Sequence, residues 1–290
     1  MSQRFTMKEV IVVLKEESCQ AGISKRFRDM SEALSQQGIT SILYSTREWG
    51  GNHSLPDKDG LLWITDSSVF LQRLFEQKLP RIAYFHESNE TEDLHMAEYA
   101  VEEAQDIHID FLENAYRRYR RIPWDILTTD RCMIRETTPE DIDTFYQIYN
   151  QLSAQKFIEE LYPNVQDEKE FANQYIDQVY GFFGFGIWTV LTKEGEIIGR
   201  AGLFYRDATA EPELGFMIAP SHQRRGYGEE ICRAILQFGV TELEFEQITA
   251  IVDPLNTASI KLCYKLGFIT KDFIELQEKR YMRMIYTCPT

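Results

Sequence analysis

The sequence predicts a two-domain α/β protein. Its first half reads as a three-layer α/β unit around a mostly parallel sheet, its second as an α+β unit around a mixed, largely antiparallel central sheet. Three observations predict this. A length of 290 residues suits about two ordinary domains. Short strand-like runs alternate with helical patterns in the first half, whereas a strand–turn–strand meander opens the middle of the second. Between them, Arg121 to Asp130 carries Pro123 and lacks clear periodicity, which sets the domains at 1–127 and 128–290.

In the first half, Val10 to Leu14 is a β-branched run of the kind buried on both faces of a sheet. Ser24 to Gln37 is helical in pattern and stops at Gly38; Thr40 to Tyr44 and Gly60 to Thr65 are two further strands. Val69 to Gln77 reads as a helix, Arg81 to Phe85 as a fourth strand and Asp110 to Arg121 as a closing amphipathic helix. Asp66, Ser67 and Ser68 stand at the end of a strand, where open α/β sheets bind ligands. Asp66 and Ser67 are equally good helix caps, and capping is the favoured reading. The order of elements faintly resembles a haloacid-dehalogenase-like core. That family's Asp-x-Asp is absent, because Lys15-Glu16-Glu17-Ser18 follows the first strand. His86 and Glu87 end the fourth strand, but two adjacent ligands make no metal cage and a polar loop is expected. This half is expected to be an accessory domain without catalysis.

In the second half, Cys132 to Arg135 reads as a strand. Thr138-Pro139-Glu140-Asp141 starts a helix, with Thr138 as N-cap and Pro139 at the first helical position, and Ile142, Phe145, Ile148 and Tyr149 face inward. Glu168 to Tyr180 is a further helix. Ile187 to Thr192 and Ile197 to Tyr205 form a hairpin around Lys193 to Glu196, and a third strand runs from about Glu213 to Ile218. After Pro220 comes the basic turn Gln223-Arg224-Arg225-Gly226-Tyr227-Gly228, and then a helical spacing at Ile231, Ile235, Leu236 and Val240. A strand, a glycine turn and a helix build an anion site: glycines let the backbone come close, and first-turn N–H groups point outward. Gln247 to Val252 is another strand, followed by Asp253-Pro254-Leu255-Asn256 and Thr257 to Phe268.

Gln223 to Gly228 resembles the Gln/Arg-x-x-Gly-x-Gly/Ala pyrophosphate loop of the GNAT N-acetyltransferase superfamily. The capped opening helix at Thr138 and the Asn256…Lys265-Leu266-Gly267-Phe268 segment resemble the same family, in the same order, over residues 131–290. The Asn-x-x-Ser-Ile-x-x-x-x-Lys-Leu-Gly-Phe form is similar to the branch that includes ribosomal-protein N-terminal acetyltransferases. The resemblance implies acetyl-CoA as cosubstrate, with no metal. Gln223, Arg224, Arg225, Gly226, Tyr227, Gly228 and Glu229 would serve its pyrophosphate. Backbone near Met217 and Ile218 would pair with the pantetheine arm and polarise the thioester carbonyl. Asn256 would orient that arm or a water, or else cap the following helix. Glu213 would act through water as the base an ammonium acceptor needs, with Glu211 in reserve; a solvent-facing strand-end carboxylate is the alternative. The family's tyrosine acid falls on Cys263, which reads as a packed core residue, with Tyr264 one position on.

Net charge and cysteine usage narrow the classes. A formal charge of −15 argues against nucleic acid as a partner, which needs a cationic footprint. No apolar run approaches the ~20 residues of a membrane span. Five cysteines without a CxxC pair read as free thiols of a cytoplasmic protein. Tyr180 to Trp188, with Tyr162 and Phe157, either shape an acceptor pocket or belong to the core. The function expected is transfer of acetyl from acetyl-CoA to a primary amine; the alternative is a catalytically weak acetyl-CoA-binding regulatory module that acts on a partner protein. The acceptor is unspecified, and homo-oligomerisation is left open.

Overall fold

The computed structural model describes residues 6–20, 23–49, 54–102, 107–152, 157, 161–206 and 211–287. The chain forms two compact units, Met1–Trp124 and Asp125–Thr290. In the first, β1 (Glu9–Leu14), α1 (Glu16–Gln20), α2 (Arg28–Gln36), β2 (Thr40–Ser45), β3 (Leu61–Thr65), α3 (Ser68–Glu76), β4 (Arg81–Tyr84), β5 (Ala100–Val101) and α4 (Ile109–Tyr119) follow in order. The five strands make a parallel sheet in the order β2-β1-β3-β4-β5. The first turn of the expected Ser24–Gln37 helix is a 3-10 segment, and Gly38 ends α2 at φ +76°. Period-two alternation divides the apolar side chains of the central strands. Val10, Val12, Leu62 and Ile64 meet Met30, Leu34, Leu112 and Tyr116 on one face. Ile11, Val13, Leu61 and Trp63 meet Phe70 and Leu74 on the other. Both faces are thereby covered, which is why these strands read as unbroken apolar runs.

Strand order reverses between β1 and β3, and Asp66 lies at that point with no exposed surface. Asp66 does not cap α3; Ser67, in extended backbone, accepts from the Phe70 N–H at 3.3 Å. The Asp66 carboxylate instead accepts from the Lys15 N–H at 2.8 Å, the Ser18 hydroxyl and His86 Nε2 at 3.0 Å. Nδ1 of His86 accepts from the Ser88 N–H at 3.2 Å, which leaves the ring proton on Nε2, facing Asp66. The three loop ends at the carboxyl edge are thus pinned together. Among the described residues no group of three His, Cys, Asp or Glu side chains is arranged to hold a metal.

The second unit comprises β6 (Asp125–Thr128), β7 (Cys132–Arg135), α5 (Ile142–Leu152), α6 (Val165–Tyr175), α7 (Gly181–Phe183), β8 (Ile187–Thr192), β9 (Ile197–Tyr205), β10 (Pro212–Ile218), α8 (Tyr227–Thr241), β11 (Gln247–Val252), α9 (Thr257–Leu266), β12 (Ile269–Leu276) and β13 (Lys279–Thr287). β6 straddles residues 127 and 128, so the division falls just before it, after Trp124. The eight strands run β12-β13-β11-β10-β9-β8-β7-β6, antiparallel throughout except between β10 and β11. One face packs Leu203, Leu214 and Ile218 against Ile231 and Ile235 of α8 and Cys263 of α9. The other packs Met217 and Ala219 against Ile142, Phe145 and Ile148 of α5. A π-helical segment, Ile176–Tyr180, continues α6. Tyr180 is buried there, and its hydroxyl donates to the Ile187 carbonyl. Among the described residues no helix is long and apolar enough to cross a membrane.

Candidate active site

The site is organised by what β10 does not do. Its parallel pairing with β11 consists of one position, Glu213 opposite Thr249, whereas its antiparallel pairing with β9 runs from Pro212 to Ile218. Beyond Glu213 a gap therefore opens between β10 and β11 in the middle of the sheet. The Ala219 N–H donates to the Ile198 carbonyl at 2.7 Å. Antiparallel alternation then turns the amides of Met217 and Gly215 toward β9, and those of Ile218 and Phe216 toward the gap. Two contacts agree with this. The Pro212 carbonyl accepts from Thr249 Oγ1 at 3.1 Å, and the Ile218 carbonyl accepts from Gln223 Nε2 at 2.8 Å. Of the two residues expected to pair with a pantetheine arm, Ile218 faces the gap. The Met217 amide is directed into the sheet, whereas that of Phe216, which sequence reasoning did not single out, faces the gap.

The basic turn lies at the open end of this gap. Arg224 has φ +58° and Gly226 φ +83°. Left-handed residues on both sides of Arg225 curl the backbone into a concave nest of N–H groups, and a non-glycine there is strained. Gly226 is the N-cap of α8, whose first-turn amides have no partner within the helix. A Cβ on Gly228 would lie 3.3 Å from Leu262 Cδ2, so this glycine lets α8 and α9 pack closely. Arg224 and Arg225 are exposed. The Glu229 side chain turns away from the loop, pairing with Lys265 and, at 3.2 Å, with Arg233. The Lys265 ammonium holds its carboxyl below the usual range, and the contact ties α8 to the end of α9.

A residue that sequence reasoning missed comes from far along the chain. Arg131, just before β7, lays its guanidinium 4.3 Å from the Tyr227 ring centroid and donates Nη1 to the Arg225 carbonyl at 2.9 Å. Glu230 holds it through both the Arg131 N–H, at 2.9 Å, and Nε, at 2.6 Å. No local signal announces it, since the partners are 94 and 99 residues away.

Glu213 begins the gap. It is 3 % exposed and grips Arg206 in bidentate fashion, at 2.7 Å to Nε and 3.0 Å to Nη2. It is therefore no solvent-facing strand end. Glu211 lies among Lys271 and Arg283, each at 3.8 Å. Asn256 Oδ1 caps α9, accepting from the Ser259 N–H at 3.1 Å, which leaves its amide donors. Cys263 is fully buried, and burial pushes its thiol up to about 12, as befits a packed core residue. The Tyr264 hydroxyl meets Thr270 Oγ1 at 2.8 Å. Of the aromatic segment, Tyr180 and Trp188 are core residues, 1 % and 0 % exposed, while Phe182, Phe183, Tyr162 and Phe157 are exposed. Trp188 stands edge-on to Phe238 of α8, with ring centroids 5.6 Å apart.

The gap beside β10 thus has the outward amides of Phe216 and Ile218 along one edge and the left-handed Arg224–Gly226 turn at its end. Comparison with known proteins gives this arrangement a family. Residues 131–269 match the model of the acetyltransferase (GNAT) domain. YkkB, an uncharacterised protein of Bacillus subtilis (strain 168), is 30 % identical over 150 residues, which are 49 % of this chain and 83 % of that protein. The uncharacterised N-acetyltransferase YnaD of the same organism is 27 % identical over 149 residues, 51 % of this chain and 85 % of that protein. Among solved structures, a spermidine N-acetyltransferase from Vibrio cholerae in complex with CoA and spermine superposes with a TM-score of 0.46 at 20 % identity, covering 54 % of this chain and 95 % of that one. The chain belongs to the GNAT acetyltransferase family and is an acetyl-CoA-dependent acyltransferase.

Proposed function

We propose that the protein moves the acetyl group of acetyl-CoA to a primary amine, on a small molecule or a peptide N-terminus, by direct transfer in a ternary complex. The observation that carries this reading is the gap between β10 and β11, with Phe216 and Ile218 amides turned into it and the Arg224–Gly228 nest at its mouth. The residues fit the group. The nest and the first turn of α8 take the pyrophosphate, with Arg224 and Arg225 adding charge. The strand-edge amides pair with the pantetheine arm, and the Asn256 amide donors orient it.

The bound cosubstrate supplies a thioester that an amine can attack, with thiolate as leaving group. The chain contributes one N–H, from Phe216 or Ile218, beside the carbonyl oxygen, where developing negative charge is stabilised. Glu213, oriented by Arg206, attracts the ammonium while it is ionised, and then takes the acceptor's proton through a water, becoming neutral as the amine is freed to attack. No tyrosine stands at the Cys263 position to protonate the thiolate. A thiol of ordinary pKa, about 8.5 for cysteine, still leaves near neutral pH. The first unit is an accessory domain in this reading. That missing acid also favours a second reading, a CoA-binding regulatory module with little turnover.

The test is acetyl-CoA consumption by thiol release across amines, polyamines, aminoglycosides and N-terminal peptides, for the wild type, Glu213→Gln and an Arg224/Arg225 double-alanine variant. Amine-dependent release that both variants lose supports the transferase. CoA binding with no turnover on any acceptor favours the module, and absence of CoA binding refutes both.

A further inference from the structure

We propose that Arg131 is a positioning residue for the phosphate site, acting as a lock on the Arg225–Gly226 peptide. This rests on reading residues 223–228 as the pyrophosphate loop. A peptide unit is planar and trans, so its carbonyl and its N–H point in opposite directions. Arg131 Nη1 fixes the Arg225 carbonyl at 2.9 Å, and in doing so fixes the Gly226 N–H on the other side, toward the concave face of the nest. Without that bond the unit is free to turn over. Gly226 sits at φ +83°, and glycine accepts either sign of φ, so a flip of this peptide meets no Cβ penalty. The flipped loop would present a carbonyl oxygen to the phosphate in place of a donor.

The lock is itself held from three sides. Glu230 Oε1 accepts from the Arg131 N–H at 2.9 Å and from Thr129 Oγ1 at 2.7 Å, and Oε2 accepts from Arg131 Nε at 2.6 Å. The guanidinium rests on Tyr227, whose ring also meets Arg225 at 5.6 Å. Nη2 lies 3.4 Å from where a Cβ on Gly226 would stand, directly over the residue whose amide it controls. Lysine cannot replace this geometry. One ammonium has no planar fork with which to reach Glu230 and the Arg225 carbonyl together.

The experiment compares wild type, Arg131→Met and Arg131→Lys by calorimetric titration with CoA and with 3′-dephospho-CoA, alongside thermal melts of the free proteins. Both variants are expected to bind both ligands about tenfold more weakly or worse, the effect of one lost charge-assisted hydrogen bond. The loss should be equal for the two ligands, because the pyrophosphate is common to both. The melting temperature should fall by only a few degrees, as for a half-exposed ion pair. Unchanged affinity would overturn the proposal. So would full rescue by lysine, which would reduce Arg131 to a charge, or a loss confined to CoA, which would make it a ligand of the 3′-phosphate. A wild type that binds neither ligand would instead remove the pyrophosphate-loop reading beneath it.

Discussion

Replacing Gly226 with alanine puts the proposed phosphate loop under a strain whose size follows from the structure. At φ +83° an L-residue costs about 1–2 kcal/mol more than glycine. The new methyl would sit 3.4 Å from the end of the flexible Arg131 side chain, which can yield, so contact adds little. The strain has two outlets. If the loop keeps its shape, the free protein loses the full amount, and each 1 kcal/mol lowers the melting temperature by roughly 2–4 °C for a unit of this size. If the loop relaxes out of the left-handed region, its amides turn from the phosphate and binding weakens, each 1.4 kcal/mol costing about tenfold in Kd. The two losses draw on one strain energy, so together they should sum to about 1–2 kcal/mol. Melts and CoA titration of Gly226→Ala measure both. A variant with unchanged melting temperature and unchanged Kd would refute the reasoning.

Other consequences are independent of the loop. Gly239→Ala improves helix propensity in α8, yet its Cβ would lie 2.8 Å from Leu203 Cδ1 and 2.9 Å from Ile248 Cδ1. Overpacking of about 1–3 kcal/mol should win, and the unfolding midpoint should fall in urea. Asp66→Ala leaves the Ser18, Lys15 and His86 donors without their acceptor in a buried place, so urea unfolding should show the first unit destabilised by about 3 kcal/mol or more. Glu92 has its carboxyl lowered to about 2 by Lys15, at 2.8 Å, and then by Ser68. A depressed carboxylate gives stability that is complete above its ordinary value of 4.5 and disappears as pH falls toward 2. Urea midpoints between pH 5 and 2 should therefore decline less steeply in Glu92→Gln than in the wild type.

Which parts of this molecule were legible in its sequence depends on where each element's information lies. β1 and β3 are buried on both faces and carry that fact as apolar runs, β-branched in β1, while β4 is marked by Pro80 before it, so all three are legible almost to the residue. The β12–β13 hairpin was not. Its strands are half exposed and rich in charge, and its turn places Gln277 and Glu278 at φ +48° and +62° without the Asn-Gly or Asp-Gly that normally marks such a turn. β5 and β6, two and four residues long, are made by pairing rather than by local preference. In the site, Gly226 is legible because its left-handed conformation is a local requirement, whereas Gly228 answers to packing against Leu262 of α9. The one-position contact between β10 and β11, the Arg206 grip on Glu213 and the Arg131 contacts arise from strand register and loop placement, which residue spacing does not encode. Asp66 was misjudged as a cap because a strand-end carboxylate beside a serine suits either role. The hydrogen bonds decide: Ser67 takes the Phe70 N–H, and Asp66 takes Lys15, Ser18 and His86.

The most direct test of the site is amide hydrogen exchange followed by NMR on the deuterated protein, with and without CoA. CoA is expected to slow exchange at Phe216 and Ile218, whose N–H groups face the gap, and at Gly226, Tyr227 and Gly228. Met217 and Gly215, already bonded to β9, should change little. Protection of Met217 and Gly215 but not their neighbours, or protection confined to other strands, would contradict the placement of the coenzyme between β10 and β11.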